Sequence, residues 1–199
     1  MIVVDNASTD ATATVARTSG ATVVSEPRPG YGSACLAGLR YLRANGPPDI
    51  VVFLDGDYSD HPDELPLLLE PIRKGRAQLV IGSRVLGERE RGALLPQARA
   101  GNWVACGLIR WLYGHVYTDL GPFRAITWTG LEALAMSDTT FGWTAEMQVK
   151  ALRQGLKVME VPVSYRRRVG VSKITGTLRG TILAGYKILT TVVRYSRGS

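Results

Sequence analysis

At 199 residues, with 45% hydrophobic and 21% charged side chains, the chain can bury a core as one domain, which argues against a disordered chain. No run of about 18 uninterrupted apolar residues occurs, and the opening MIVVDNASTD lacks the basic and apolar segments of a secretory leader. The sequence therefore predicts a cytoplasmic protein, peripheral at most to the cytoplasmic face of a membrane. The formal charge of +7 is concentrated late, since residues 151–199 hold ten Lys or Arg against one acid, Glu160. Such an end suits an anionic membrane, a phosphate-bearing substrate or nucleic acid. Cys35 and Cys106 both fall in segments that read as helical, and His61 and His115 are isolated, so neither a disulfide framework nor a zinc site is expected.

In chain order, Ile2-Val3-Val4 is a short apolar run ending on Asp5, and residues 6–10 supply turn and cap residues for a helix to about position 18. Residues 21–24 read as a second strand. The loop 27–33, PRPGYGS, leads through Ser33 as a cap into a helix to about position 43. After the break at 45–48, residues 50–54 form a continuous apolar run of the kind found in strands covered on both faces, and it ends on Asp55-Gly56-Asp57. Pro62 suits a first helical turn, with the helix continuing to about position 74; residues 79–81 make a further strand ending at Gly82-Ser83-Arg84. Beyond position 90 the sequence predicts a helix over 102–113, a loop or short strand over 119–124, a helix over 144–154 and a strand over 158–165. A basic loop over 166–173 and a final helix over 177–194 complete the reading.

Strands alternating with helices, with polar residues where strands end, predict an α/β domain with a mostly parallel sheet flanked by helices. Ligands of such sheets bind beyond the strand C-termini, where Asp5, Asp55, Asp57 and Arg84 fall. Two carboxylates one glycine apart after a buried strand are costly unless neutralised, and Mg²⁺ or Mn²⁺ is the natural partner for such hard oxygen ligands. The same tripeptide also occurs in ordinary turns.

The segments IVVDNASTD, GYGSA, FLDGDYSD, IGSR, DLGPFRA, FGWTAEMQVKA, EVPVSYRRR and VGVSK resemble, in this order, family 2 glycosyltransferases. The resemblance runs from residue 2 to about 180 and is nearest the dolichol-phosphate mannose synthase and polyprenol-phosphate glycosyltransferase group. It implies a glycosyltransferase A-type, nucleotide-diphospho-sugar transferase fold and one catalytic domain over 1–199. Within it, about 1–90 would be the nucleotide-binding half, about 91–175 the acceptor half, and about 177–195 a helix able to lie on a membrane. The implied reaction is an inverting, metal-dependent transfer from a UDP- or GDP-linked sugar to a lipid phosphate. By the same resemblance Asp5, Asp55, Arg84 and Arg124 bind the donor, Asp57 with Asp55 holds the metal, and Arg168, Ser172 and Lys173 grip phosphate. Asp119 matches an acid close to the acceptor. Glu146 is a weaker catalytic candidate whose other reading is a solvated acid in a first helical turn.

No stacking aromatics accompany the triple arginine, so no nucleic-acid partner is expected. The loop could equally be a solvated basic face, and packing on the domain is the commoner fate of a helix like the last one. The chain also departs from the family: it starts at what is ordinarily the second strand, without the first strand and helix or their proline-alanine-leucine-asparagine-glutamate type motif. An N-terminally truncated sheet missing an interior strand predicts poor nucleotide binding. The alternative function is then a catalytically weak domain that retains lipid-phosphate or membrane binding.

Overall fold

The computed structural model describes residues 1–170 and 178–196. Strand β1 (Ile2–Asp5) pairs in parallel with β2 (Thr22–Ser25), joined by α1 (Thr12–Thr18). Helix α2 (Tyr31–Asn45) then leads to β3 (Ile50–Phe53), and a 3₁₀ turn (Pro62–Glu64) opens α3 (Leu65–Arg73) before β4 (Leu79–Ser83). Helix α4 (Pro96–Tyr113), β5 (Arg124–Thr127), α5 (Trp128–Leu134), α6 (Trp143–Arg153), β6 (Val158–Pro162) and α7 (Leu178–Ser196) follow.

The second sheet has the order β3-β5-β4-β6. Strand β6 runs parallel to β4, and β5 lies antiparallel between β3 and β4, so one reversed strand interrupts an otherwise parallel direction. Strands β1 and β3 belong to different sheets and each has one partner among the described residues. Helix α4 begins six residues before the sequence suggests because Pro96 occupies its first turn, where a missing N–H costs nothing. Helix α2 begins at Tyr31 rather than after a Ser33 cap; Ser33 Oγ instead donates to the Thr139 carbonyl at 3.2 Å.

Strand β4 is buried along its whole length, as its Leu-Val-Ile run demands, and its alternating side chains divide the core. Leu79 and Ile81 enter a cluster with Ile109 of α4 and Trp143 and Met147 of α6, while Val80 faces Leu68 and Ile72 of α3. Each such fully buried aliphatic side chain contributes about 1.5–3 kcal/mol. This packing fixes the C-terminal ends of β3 and β4, on which the polar residues gather. Among the described residues no helix is long and apolar enough to cross a membrane.

Candidate active site

The chain leaves β3 into Leu54-Asp55-Gly56-Asp57-Tyr58-Ser59-Asp60, and Tyr58 adopts φ 70°, an uncommon conformation for a non-glycine residue and one that tightens the turn. Residues after β6 run beside it: Val169 N donates to the Asp57 carbonyl at 2.9 Å, Arg166 N to the Ser59 carbonyl at 2.8 Å, and Asp60 forms a bridge with Tyr165. The Arg166 guanidinium stacks on Tyr58 at 3.8 Å. The basic segment is thus fastened on the acidic turn.

The Asp57 carboxylate accepts from the Ser59 amide at 3.0 Å and its hydroxyl, and pairs with the Arg168 guanidinium. Burial alone would raise its pKa, but these donors outweigh it and hold the acid below its usual range. Asp55 moves the other way: burial and the Asp57 charge raise it, against the opposing pull of Arg84, Arg168 and the Tyr31 hydroxyl. Asp60 is 2% exposed, with Oδ2 accepting from the Asp55 amide at 3.3 Å and Oδ1 without a hydrogen-bond partner among the described residues. Burial and neighbouring Asp55 push it up to about 7. Three carboxylates therefore converge with Arg168 as the one counter-ion devoted to them among the described residues, and a cation would relieve the excess.

Arg84, at the end of β4, does not face this turn alone. Its Nε and Nη2 donate to the two Asp119 oxygens at 2.8 Å each, its amide adds a third bond at 2.9 Å, and its guanidinium lies 5.0 Å over the Tyr165 ring. Burial disfavours the cation, but Asp119 more than restores it and raises the Arg84 pKa. Gly121 makes the approach feasible, since a Cβ there would sit 2.6 Å from the Gly82 carbonyl oxygen. Asp119 is fully buried and fixed on every side: its amide donates to Glu160 at 3.1 Å and its carbonyl accepts from Gln148 at 3.1 Å.

Two residues sit elsewhere than the sequence suggested. Arg124, read as a phosphate contact, is 1% exposed and spends its guanidinium on the backbone carbonyls of Leu120, Gly121 and Thr144, because it opens β5 beneath the 119–123 loop. Glu146 is neither solvated nor open to a substrate. It is fully buried and accepts from Ser137, the Asp138 amide, Tyr195 and Lys150, tying α6 to the 137–138 loop and α7. Asp5 accepts from the Ser8 amide at 3.2 Å and makes no hydrogen bond or ion pair with the 55–60 turn among the described residues. Ser172 and Lys173 lie outside the described residues.

Sequence reasoning missed Asp60 and Tyr31. A third acid three residues after Asp57 was visible, but its burial depends on the bridge to Tyr165, far away in sequence. Tyr31 reaches Asp55 because Gly30 and Gly32 let α2 press on the 138–140 backbone; a Cβ on Gly32 would sit 2.0 Å from the Asp138 carbonyl oxygen. The GYG motif carried this signal without showing its target.

Next to Thr118 opens a cavity of about 590 Å³, lined by Val85, Leu94, Trp103, Cys106 and Tyr117 with Arg89 and Arg99. It pairs apolar walls with two cations beside the Arg84–Asp119 pair. No group of three or more His, Cys, Asp or Glu is preset to hold a metal among the described residues. One or two carboxylates completed by substrate phosphates suffice for Mg²⁺, however, and Asp57 with Asp55 fits that donor set.

The family described as Glycosyl transferase family 2 matches residues 1–126. An uncharacterised glycosyltransferase of Mycobacterium tuberculosis is 42% identical over 185 residues, covering 92% of this chain and 81% of its own. An undecaprenyl-phosphate mannosyltransferase of Micrococcus luteus is 31% identical over 191 residues, covering 90% and 77%. Among solved structures, glucosyl-3-phosphoglycerate synthase of Mycobacterium tuberculosis, in complex with Mn²⁺, UDP-glucose and phosphoglyceric acid, superposes with a TM-score of 0.73 at 26% identity, covering 98% of this chain and 68% of that one. With the α/β layers and the acidic turn at the strand ends, these matches make the chain a member of glycosyl transferase family 2, an enzyme that transfers sugar from a nucleotide-sugar donor.

Proposed function

We propose that this enzyme performs an inverting transfer of a hexose from a nucleotide-sugar to a polyprenyl phosphate. The observation that carries the reading is the placement of an apolar cavity with Arg89 and Arg99 at its wall beside the Arg84–Asp119 pair. An isoprenoid chain suits its apolar walls and a lipid phosphate its arginines. The Micrococcus relative, named for undecaprenyl phosphate, supports the same acceptor class.

Asp57, with Asp55, would hold a divalent ion, Mn²⁺ or Mg²⁺, which when bound would supply charge neutralisation for the donor diphosphate. Arg168 leaves Asp57 as donor enters and turns to the diphosphate, so that the basic segment closes over the leaving group; Ser172 and Lys173 extend that grip. Asp5 takes the nucleoside. An acceptor phosphate oxygen attacks the anomeric carbon as the bond to the diphosphate breaks, giving inverted glycosyl phosphate and a nucleoside diphosphate. The phosphate is already ionised, so Asp119 need not accept a proton; locked by Arg84, Glu160 and Gln148, it positions the arginine that borders the acceptor. A lipid acceptor places the work at a membrane surface, consistent with a cytoplasmic, peripheral enzyme.

The test is a screen of UDP- and GDP-sugars with polyprenyl phosphate, Mn²⁺ or Mg²⁺, reading the released nucleoside diphosphate. Turnover with polyprenyl phosphate that collapses in Asp57→Ala supports the reading. Turnover only with a small phosphorylated acid, the acceptor class named for the synthase neighbour, overturns the lipid assignment.

A further inference from the structure

Of the three consecutive arginines after β6, Arg166 and Arg168 have partners on the acidic turn, whereas Arg167 has no part in the chemistry above. The contacts alternate from one residue to the next, as in an extended chain. Arg166 stacks on Tyr58 and Arg168 pairs with Asp57, while Arg167 turns to the other side. Its amide donates to Glu90 Oε2 at 2.8 Å and its Nε to the Arg91 carbonyl at 2.7 Å. Residues 84–95, between β4 and α4, form no helix or strand that could hold this region in place. Tyr165 supplies backbone bonds instead: its amide donates to the Glu88 carbonyl at 2.9 Å and its carbonyl accepts from the Glu90 amide at 3.0 Å. Tyr165 thus bridges Arg89 on one side and Asp60 on the other. Residues 165–169 therefore lie between the acidic turn and the segment from which Arg89 reaches the cavity wall.

We infer that Arg167 is a positioning residue for the acceptor: it clamps residues 88–91 so that Arg89 stands at the cavity wall, and it does not grip the donor diphosphate. An arginine that must meet a phosphate binds it more weakly when its backbone wanders, because the cost of ordering then falls on binding. The bond from Arg167 Nε to the Arg91 carbonyl carries the guanidinium charge, which makes it stronger than a bond between neutral groups. It closes the segment two residues beyond Arg89, and the Tyr165 amide bond to Glu88 closes it one residue before. Arg89 is held from both ends, with its side chain left for the acceptor. The inference rests on the cavity being the acceptor site, as proposed above, while the clamp works alike for any phosphorylated acceptor that enters it.

The test compares the parent with Arg167→Ala and with Arg167→Lys, whose ammonium still reaches toward the Arg91 carbonyl. Amide hydrogen exchange is read over residues 88–93. Initial rates are measured against the donor and against the acceptor that the parent turns over, polyprenyl phosphate or a small phosphorylated acid. Arg167→Ala should speed exchange at the Glu90 amide and raise the acceptor KM, each about tenfold, as the loss of one charge-assisted hydrogen bond allows. Donor KM, kcat and melting should stay unchanged, and Arg167→Lys should recover most of the loss. A rise in donor KM instead would make Arg167 a diphosphate ligand, and exchange and acceptor KM both unmoved would make it a solvated charge. Either result overturns the inference, as does an Arg167→Lys protein no better than Arg167→Ala. The same rise in KM with a small phosphorylated acid as the working acceptor would sink the lipid assignment and leave the clamp standing.

Discussion

Replacing Arg84 with alanine separates architecture from chemistry at this site. The Arg84 side chain is 14% exposed and that of Asp119 is fully buried, and two bonds of 2.8 Å join them. Removing one member of such a buried pair leaves an uncompensated charge and costs about 3–5 kcal/mol. In a domain of this size each kcal/mol lowers the melting temperature by about 2–4 °C, so the loss should be about 6–20 °C. Arg168→Ala is the control. Its pairing with Asp57 is partly solvated, with the arginine side chain 35% exposed, and should contribute less than about 1 kcal/mol. Melting curves and donor titration on the two variants should therefore diverge: Arg84→Ala unstable, Arg168→Ala stable but poor in donor affinity. An Arg84→Ala protein melting within about 3 °C of the parent would refute the claim that this pair is a buried structural element.

Mn²⁺ should raise the melting temperature of the parent, by about 2.7 kcal/mol of stability at a hundredfold excess over Kd, and should leave Asp57→Asn unmoved; an equal shift in both places the ion elsewhere. The Asp60 acid, raised to about 7, binds its proton more tightly folded than unfolded, so without metal the stability it contributes is present at low pH and declines as pH rises from about 4 through 7. Asp60→Asn should flatten that decline in urea unfolding across this range. Gly32→Ala should cost about 1–3 kcal/mol or more, because the new methyl meets the Asp138 carbonyl oxygen at 2.0 Å and must push α2 away, taking Tyr31 from Asp55. Urea titration reads the cost, and donor affinity should fall with it.

Much of the site was legible before any coordinates. The apolar run 50–54 closed by Asp-Gly-Asp placed two carboxylates at a strand end, although the expected cover on both faces is not there: β3 ends at Phe53, Val51 is its one buried residue and Leu54 is exposed. The spacing from β4 put Arg84 at the same edge. Sequence could not show the partners. Arg84 and Asp119 are 35 positions apart, and Asp57 and Arg168 are 111 apart, so each pair exists only through the register of β4, β5 and β6. The same ignorance let Arg124 and Glu146 pass for ligand contacts: a charged residue reads alike whether it meets a phosphate or a ring of buried donors and acceptors.

What the sequence determined by itself was the alternation of strands and helices, the family, and the acidic turn, since periodicity, turn residues and short motifs are local properties of the chain. Only the tertiary structure decided which charges are spent on holding the fold and which are left for a ligand. Those outcomes depend on contacts between residues far apart in the chain, where burial turns an unpaired charge from a trivial cost into a decisive one.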